Sequence, residues 1–426
     1  MKSLKKRIIK ITQKSSFLQL KNHFAYTSLS SLINFINIII IASIYSKQDL
    51  AYWGSFIVIT PIILVLNLSF FSELILVENK KRSLNFFIIL LVINIFLTLI
   101  YLVIFYFFID YTNYKVFINS ELEKINYLIL LFFFIFSFIF KNLYSHLMLR
   151  FKKIKKIGLA NLVRACSFFS LSLIFYYIQL GINKIIISFI LSELIIFFYS
   201  LLIIDKKFYS ISNLNFNNLN YFILKTKNYI GWGIFANLFN SIAYFLIFSY
   251  ILDSFSKIEA GIYTVLNRTL VAPFLLISKI IGDIYTSQTS KSLRIKVNTT
   301  NTFNNFFKLL FVICVLVSIL GFIIFPYLYK NLFNFNFLDN YFLYIKPILI
   351  YSVFFLLASP LSRLLTITKN FKKDFICQSI LLITMIVITR FTYSGFEEFL
   401  YIYAYSFALL YILYIFIIRS CLKKHF

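Results

Sequence analysis

A chain of 426 residues that is 61% hydrophobic and only 13% charged, with a mean hydropathy of +0.86, excludes a water-soluble domain and reads as an integral membrane protein. Its formal net charge of +27 raises nucleic acid or an anionic membrane face as partners. Placement decides: the cations cluster in short loops between apolar runs and form no basic domain, so nucleic acid is excluded as a partner.

The basic N-terminus, residues 1–23, precedes an apolar run too long for a cleaved leader, so the first span is retained. Twelve spans follow, near 24–44, 52–72, 86–108, 126–148, 158–178, 185–204, 229–251, 261–282, 304–326, 345–366, 375–390 and 399–418. The eleventh is the shortest. The longest connector, 205–228, holds the Asn-rich run Ser212–Asn220 and divides the chain into an N-lobe (24–204, spans 1–6) and a C-lobe (229–418, spans 7–12). Residues 419–426 form a short basic tail. The expected fold class is therefore all-α, with about twelve transmembrane helices in two six-helix lobes around a central cavity, the usual plan of an alternating-access transporter.

Orientation follows from the loops. The N-terminus, the even-numbered connections and the C-terminus hold 28 Lys and Arg, against seven in the opposite loops, which predicts both termini in the cytoplasm. Seven further cations lie within or at the ends of spans: Lys141, Arg164, Arg268, Lys279, Lys308, Lys346 and Arg363.

Enzyme signatures are missing from the sequence. Nine glycines form neither GxGxxG nor a P-loop, and no acidic cluster suits a metal diphosphate. The four cysteines and three histidines show no metal-ligand or disulfide spacing, so no metal and no cofactor are expected. The longest outer connection, near 109–125, is too short for a catalytic domain.

What remains is charge inside the membrane. Lys141 precedes Arg150 by nine residues and Arg164 follows Lys156 by eight, across the basic loop Arg150-Phe-Lys-Lys-Ile-Lys-Lys156. At 1.5 Å per residue both lie roughly 12–14 Å in from that loop, at matching depth. Arg268 and Lys279 are eleven residues apart in the eighth span, which returns almost to one face of an unbroken α-helix, with Pro273 between them. Arg363 sits roughly 9 Å from the cytoplasmic end of the tenth span. Snorkelling to the headgroups is the simpler account of Lys279, Lys308, Lys346 and Arg363, near span ends. Depth makes it harder for Lys141, Arg164 and Arg268. Lys279 also has a possible intrahelical partner one turn away, Asp283. Glu193, in the middle of the sixth span, is the acid that stands clearly within the membrane, as a partner for Arg164 or Lys141 or as a coupling acid; Glu73 reads as interfacial. Several cations with one acid suit a strongly anionic substrate such as phosphate or pyrophosphate.

The stretch Ala260-Gly-Ile-Tyr263, Asn267-Arg268, Pro273 and Ile284-Tyr285 resembles the polysaccharide exporters of the multidrug/oligosaccharidyl-lipid/polysaccharide flippase superfamily, the O-antigen flippase type. Phe325–Phe333, Tyr341–Pro347 and Ser359-Pro-Leu-Ser-Arg363 before Lys369–Lys373 look like that family's tenth span, and Ile44–Trp53 is a weaker match. Asn67-Leu-Ser69 stands where an Asp-x-Gly is common, and Asn334-Phe-Asn336 where a Gly is.

The resemblance implies a flippase that moves an undecaprenyl-diphosphate-linked oligosaccharide across the cytoplasmic (inner) membrane for surface polysaccharide assembly. Its partners would be the lipid-linked oligosaccharide, membrane lipids and other polysaccharide-assembly proteins, with the chain itself a monomer. Lys141, Arg164, Lys279 and Arg363 would hold the diphosphate, Arg268 would receive it, and Glu193 is the nominated coupling acid. The alternatives are a cation-coupled multidrug-type antiporter, which would want acids in its cavity, and a membrane glycan polymerase or ligase, which would want a large outer loop.

Overall fold

In a computed structural model the described residues are 26, 29–66, 80–108, 121–151, 153–178, 184–203, 217–294, 299–333, 341–368 and 370–422. Among them the secondary structure is helical, with no strand. In oil every backbone N–H and C=O must be satisfied within its own segment, so apolar runs of this length fold as helices.

In chain order these are α1 (Leu29–Ile44), α2 (Lys47–Leu66), α3 (Lys80–Phe108), α4 (Glu121–Arg150), α5 (Ile154–Ile178), α6 (Lys184–Ile203) and α7 (Asn217–Ser254). α8 is one rod in three parts: Lys257–Leu266, a π-helical turn at Asn267–Val271, and Ala272–Arg294. Then come α9 (Thr300–Phe333), α10 (Tyr341–Ile367), α11 (Phe371–Ile388) and α12 (Phe396–Leu422). Among the described residues nine helices are long and apolar enough to cross a membrane; α1, α6 and α11 fall outside those nine. α11 is 18 residues long, and its first turn holds Lys372, Lys373 and Asp374. The chain is an all-α, multi-pass membrane protein.

Helix ends differ from the expected spans in one consistent way. α7 begins at Asn217, inside the connector expected at 205–228, and α8 runs to Arg294, past the expected end at 282. Hydropathy marks the apolar part of a helix, whereas backbone hydrogen bonding carries the helix on through polar sequence such as Asn217-Asn-Leu-Asn220. Residues 205–216, Asn67-Leu-Ser69, Glu73 and Asn334-Phe-Asn336 lie outside the described residues.

The chain divides into two compact units, 1–45 with 59–224, and 46–58 with 225–426. α2 therefore contributes its second half to the first unit and its first half to the second. In the first unit α5 lies along α6, and α4 packs on α3 and on α6. In the second unit α10 is the hub, packed on α8, α9, α11 and α12. Pro347 and Pro360 lie within α10. Polar side chains in these helices mostly satisfy themselves one turn back: Ser137 donates to Phe134 O, Ser352 to Ile348 O, Thr264 to Ala260 O and Asn94 Nδ2 to Leu90 O. Hydroxyls bonded in this way leave no orphan donor in oil.

Two helix starts in the second unit are built alike. Ser46 caps α2, accepting from Asp49 N at 3.2 Å and donating to Asp49 Oδ2 at 2.7 Å. Ser256 caps α8, accepting from Glu259 N at 3.2 Å and donating to the Glu259 carboxylate. Both are Ser-Lys-x-acid capping boxes, and each is followed by a close helix crossing. A Cβ on Gly54 would meet Thr264 Oγ1 at 2.2 Å, and one on Gly261 would meet Lys47 O at 2.2 Å. At Gly261 the backbones of α2 and α8 therefore touch where only glycine fits, while Gly54 makes room for the Thr264 and Phe248 side chains.

The π turn follows from Pro273. A proline has no N–H and its ring collides with the carbonyl four residues back, here Thr269, so the preceding turn widens. The Thr269 hydroxyl donates to Val265 O at 2.8 Å within that widened turn. One extra residue in the turn rotates everything beyond it by roughly 100°, the angle per residue of an α-helix. The shared face expected for Arg268 and Lys279 assumed an unbroken α-helix, and the π turn removes it. Arg268 is half-buried and Lys279 is exposed.

Candidate functional site

The expected site cations fall into three groups. The most enclosed is in the first unit. α4 and α5 form a hairpin closed by Phe151 N to Leu147 O at 3.0 Å and Lys153 N to Met148 O at 2.9 Å, and α6 lies against both helices. The equal spacing of Lys141 and Arg164 from that hairpin's loop places them side by side, and α6 supplies Glu193 between them. Arg164 Nη1 donates to Glu193 Oε1 at 3.0 Å, and Lys141 Nζ lies 3.6 Å from the same oxygen. Glu193 thus pairs with both cations.

The Glu193 side chain is 0% exposed, while Lys141 and Arg164 keep 22% and 19%. The carboxylate stands behind and the cations present themselves in front. Behind the triad lies a block of aromatic rings. Phe189, one turn before Glu193 on α6, stacks on Phe134 and Phe138 of α4 and meets Phe168 of α5 edge-on. The Arg164 guanidinium lies 5.9 Å from the Phe189 centroid, and Lys141 Nζ 5.5 Å from that of Phe138. An apolar floor of this kind lowers the local dielectric, which strengthens the charge interactions beside it. The pairing is incomplete. Among the described residues Glu193 Oε2 and Arg164 Nε are buried without a hydrogen-bond partner. Two cations around one acid leave the triad with a net positive charge.

The second group is in the second unit, where Arg363 of α10 lies against α8. Arg363 Nη2 approaches Lys279 O at 3.5 Å, and a Cβ on Gly282 would meet Arg363 Nε at 2.6 Å, so Gly282 makes the berth for the guanidinium. Lys279 and Arg363 are therefore neighbours; Ser278 Oγ to Ser359 Oγ at 3.0 Å ties the same helices together. The Asp283 side chain lies outside the described residues. Lys308 and Lys346 are exposed. Third, Arg268 stands in the π turn with its guanidinium 5.7 Å from the Trp53 ring centroid. A cation over an indole face is stabilised by the ring, which offsets part of the cost of Arg268 in oil.

Sequence reasoning missed a second enclosed acid. Asp374 stands just before the span expected at 375–390, and in the first turn of α11 its Oδ1 accepts from Tyr414 Oη at 2.6 Å and from Gln378 Nε2 at 3.5 Å. Nearby, Tyr244 Oη meets Tyr351 Oη at 2.7 Å and Tyr411 Oη at 3.2 Å. The Asp374-x-x-x-Gln378 spacing on one helix face was a usable signal, but thirty tyrosines conceal which ones matter. Among the described residues no group of His, Cys, Asp and Glu could hold a metal ion.

No protein-family profile matches this sequence, and no curated protein matches it in sequence. Solved structures do match in fold. The chain is similar to a multidrug resistance MATE family transporter of the MOP superfamily in its inward-facing conformation, with a TM-score of 0.69 at 15% identity, covering 93% of this chain and 95% of that one. It is similar to the lipid II flippase MurJ in an inward closed conformation, with a TM-score of 0.69 at 16% identity over 94% and 87% of the two chains. A MOP superfamily transporter from Pyrococcus furiosus, described as having a binding pocket of reverse polarity, gives 0.64 at 13% over 96% and 94%. At these identities the likeness shows the fold alone, an all-α bundle of membrane-spanning helices. These structural neighbours are transporters and flippases rather than enzymes.

Proposed function

We propose that this protein is a flippase that carries an isoprenoid-diphosphate-linked oligosaccharide from the inner to the outer leaflet of the cytoplasmic membrane by alternating access, for surface polysaccharide assembly. The observation that carries the reading is the Lys141–Glu193–Arg164 constellation, which keeps a net positive charge on an aromatic floor among the apolar helices α4, α5 and α6. Arg offers a diphosphate paired donors and Lys a point charge. Lys279 and Arg363, adjacent on α8 and α10 of the second unit, are a second cation pair suited to phosphate, and Arg268 is a further candidate there. The termini face the cytoplasm by the loop charge count. A lipid II flippase among the structures of the same fold supports a lipid-linked substrate.

The test replaces Arg164 and Arg268 singly with Gln and with Lys, at matched membrane abundance, and follows surface glycan. Loss in the Gln forms and partial retention in the Lys forms is expected. Full surface glycan in both Gln forms removes the mechanism.

The multidrug-type antiporter is the second reading, favoured by the likeness to MATE transporters. The excess of cation over acid in the first unit's buried cluster weighs against it. Drug resistance that rises on expression, with no effect on surface glycan, would select it.

A further inference from the structure

We propose that Glu193 is a built-in competitor for the anion site, a counter-ion that holds Lys141 and Arg164 when no ligand is present and reclaims them when the ligand leaves. The proposal rests on the reading that these cations hold a phosphate group. A pair of fixed cations on an aromatic floor would bind a diphosphate tightly and release it slowly, and a transporter must do both. An internal carboxylate lowers the affinity by the fraction of molecules in which the cations are already taken.

The geometry suits exchange better than permanent bracing. A single oxygen, Oε1, serves both cations, at 3.0 and 3.6 Å. Glu193 Oε2 and Arg164 Nε are buried without partners among the described residues, so the clamp leaves capacity on both sides unused. A structural ion pair is ordinarily completed by further hydrogen bonds, because an unsatisfied buried charge is costly. The carboxylate is wholly covered and the cations are accessible, so a ligand meets the cations first and need not displace a side chain from its path.

The experiment uses the purified full chain in lipid nanodiscs with farnesyl diphosphate as probe, in wild type, Glu193→Gln, Glu193→Asp and Arg164→Gln, each with its apparent melting temperature. If the clamped form outnumbers the open form about nine to one, Glu193→Gln tightens binding about ten-fold. In cells at matched abundance the same variant slows glycan export, since release loses its driving partner. Tighter binding with slower export is the signature; a purely structural Glu193 lowers both. Glu193→Asp, too short to reach both cations, falls between.

Glu193→Gln affinity equal to or below wild type, with the melt retained, overturns the proposal. If Glu193→Gln does not fold, Glu193→Asp decides in the same sense. Arg164→Gln separates the two levels. Weakened binding there without a gain in the Glu193 variants sinks only the counter-ion role. Unchanged binding in Arg164→Gln, or no binding in any form, sinks the phosphate site and the counter-ion role with it.

Discussion

Gly261→Ala is the most direct probe of the α2–α8 crossing. The added Cβ would lie 2.2 Å from the Lys47 carbonyl oxygen, and ordinary contact begins near 3.4 Å, so the two backbones must part by about 1.2 Å. The obstacle is main chain, so no rotamer change relieves it. Overpacking of this kind costs about 1–3 kcal/mol. The strain reaches Trp53, six residues along α2, and through it the Arg268 contact. Gly231 on α7 supplies the control, because a Cβ there meets nothing within 4 Å. In mid-helix, Gly231→Ala should gain about 0.5–1 kcal/mol from reduced chain entropy and better helix propensity. The assay is the apparent melting temperature of the purified protein in detergent, with tryptophan emission recorded in parallel. In a Trp232→Phe background, which leaves Trp53 as the reporter, Gly261→Ala should lower the melt and shift the emission, and Gly231→Ala should leave the emission alone and hold or raise the melt. Equal behaviour of the two variants would refute the close crossing.

Replacing Lys141, Arg164 and Glu193 together with Met should leave the melt near wild type, since an apolar substitute for a whole buried ion network is about neutral; surface glycan should nonetheless disappear at matched abundance. Tyr414→Phe removes the 2.6 Å donor to Asp374 and should cost about 1–3 kcal/mol, read as a lowered melt, because an enclosed carboxylate is left under-satisfied. Ser256→Ala removes the cap of α8 and should cost about 1 kcal/mol, seen as faster amide exchange at Glu259 while the middle of α10 stays protected. Gly282→Ala meets the flexible Arg363 side chain rather than backbone, so its melt should fall less than that of Gly261→Ala.

Much of the charged cluster in the first unit was legible because its parts are set by counting along helices. Lys141 and Arg164 stand at equal distances from one basic loop, and Glu193 interrupts an apolar span; the cost of charge in oil makes each conspicuous. That one carboxylate serves both cations depends on the rotation of α6 against the α4–α5 hairpin, which no one-dimensional spacing contains. In the second unit the same counting failed at one point. Arg268 and Lys279 share a face only on an uninterrupted helix, and the turn before Pro273 is π-helical. The role of Trp53 as the surface under Arg268 was equally hidden, since more than 200 residues separate them.

By itself, the sequence determined that this is an all-α protein threaded repeatedly through a membrane, with charges that oil does not tolerate at random. Hydropathy and backbone hydrogen bonding act locally, so they can be read locally. Tertiary structure alone decided which charges meet: Glu193 with two cations, Arg363 over Gly282, Asp374 beneath Tyr414. Partner choice depends on how far each helix is rotated and how closely it can approach its neighbour. Those quantities come from packing between distant segments, down to a glycine that leaves room for a carbonyl.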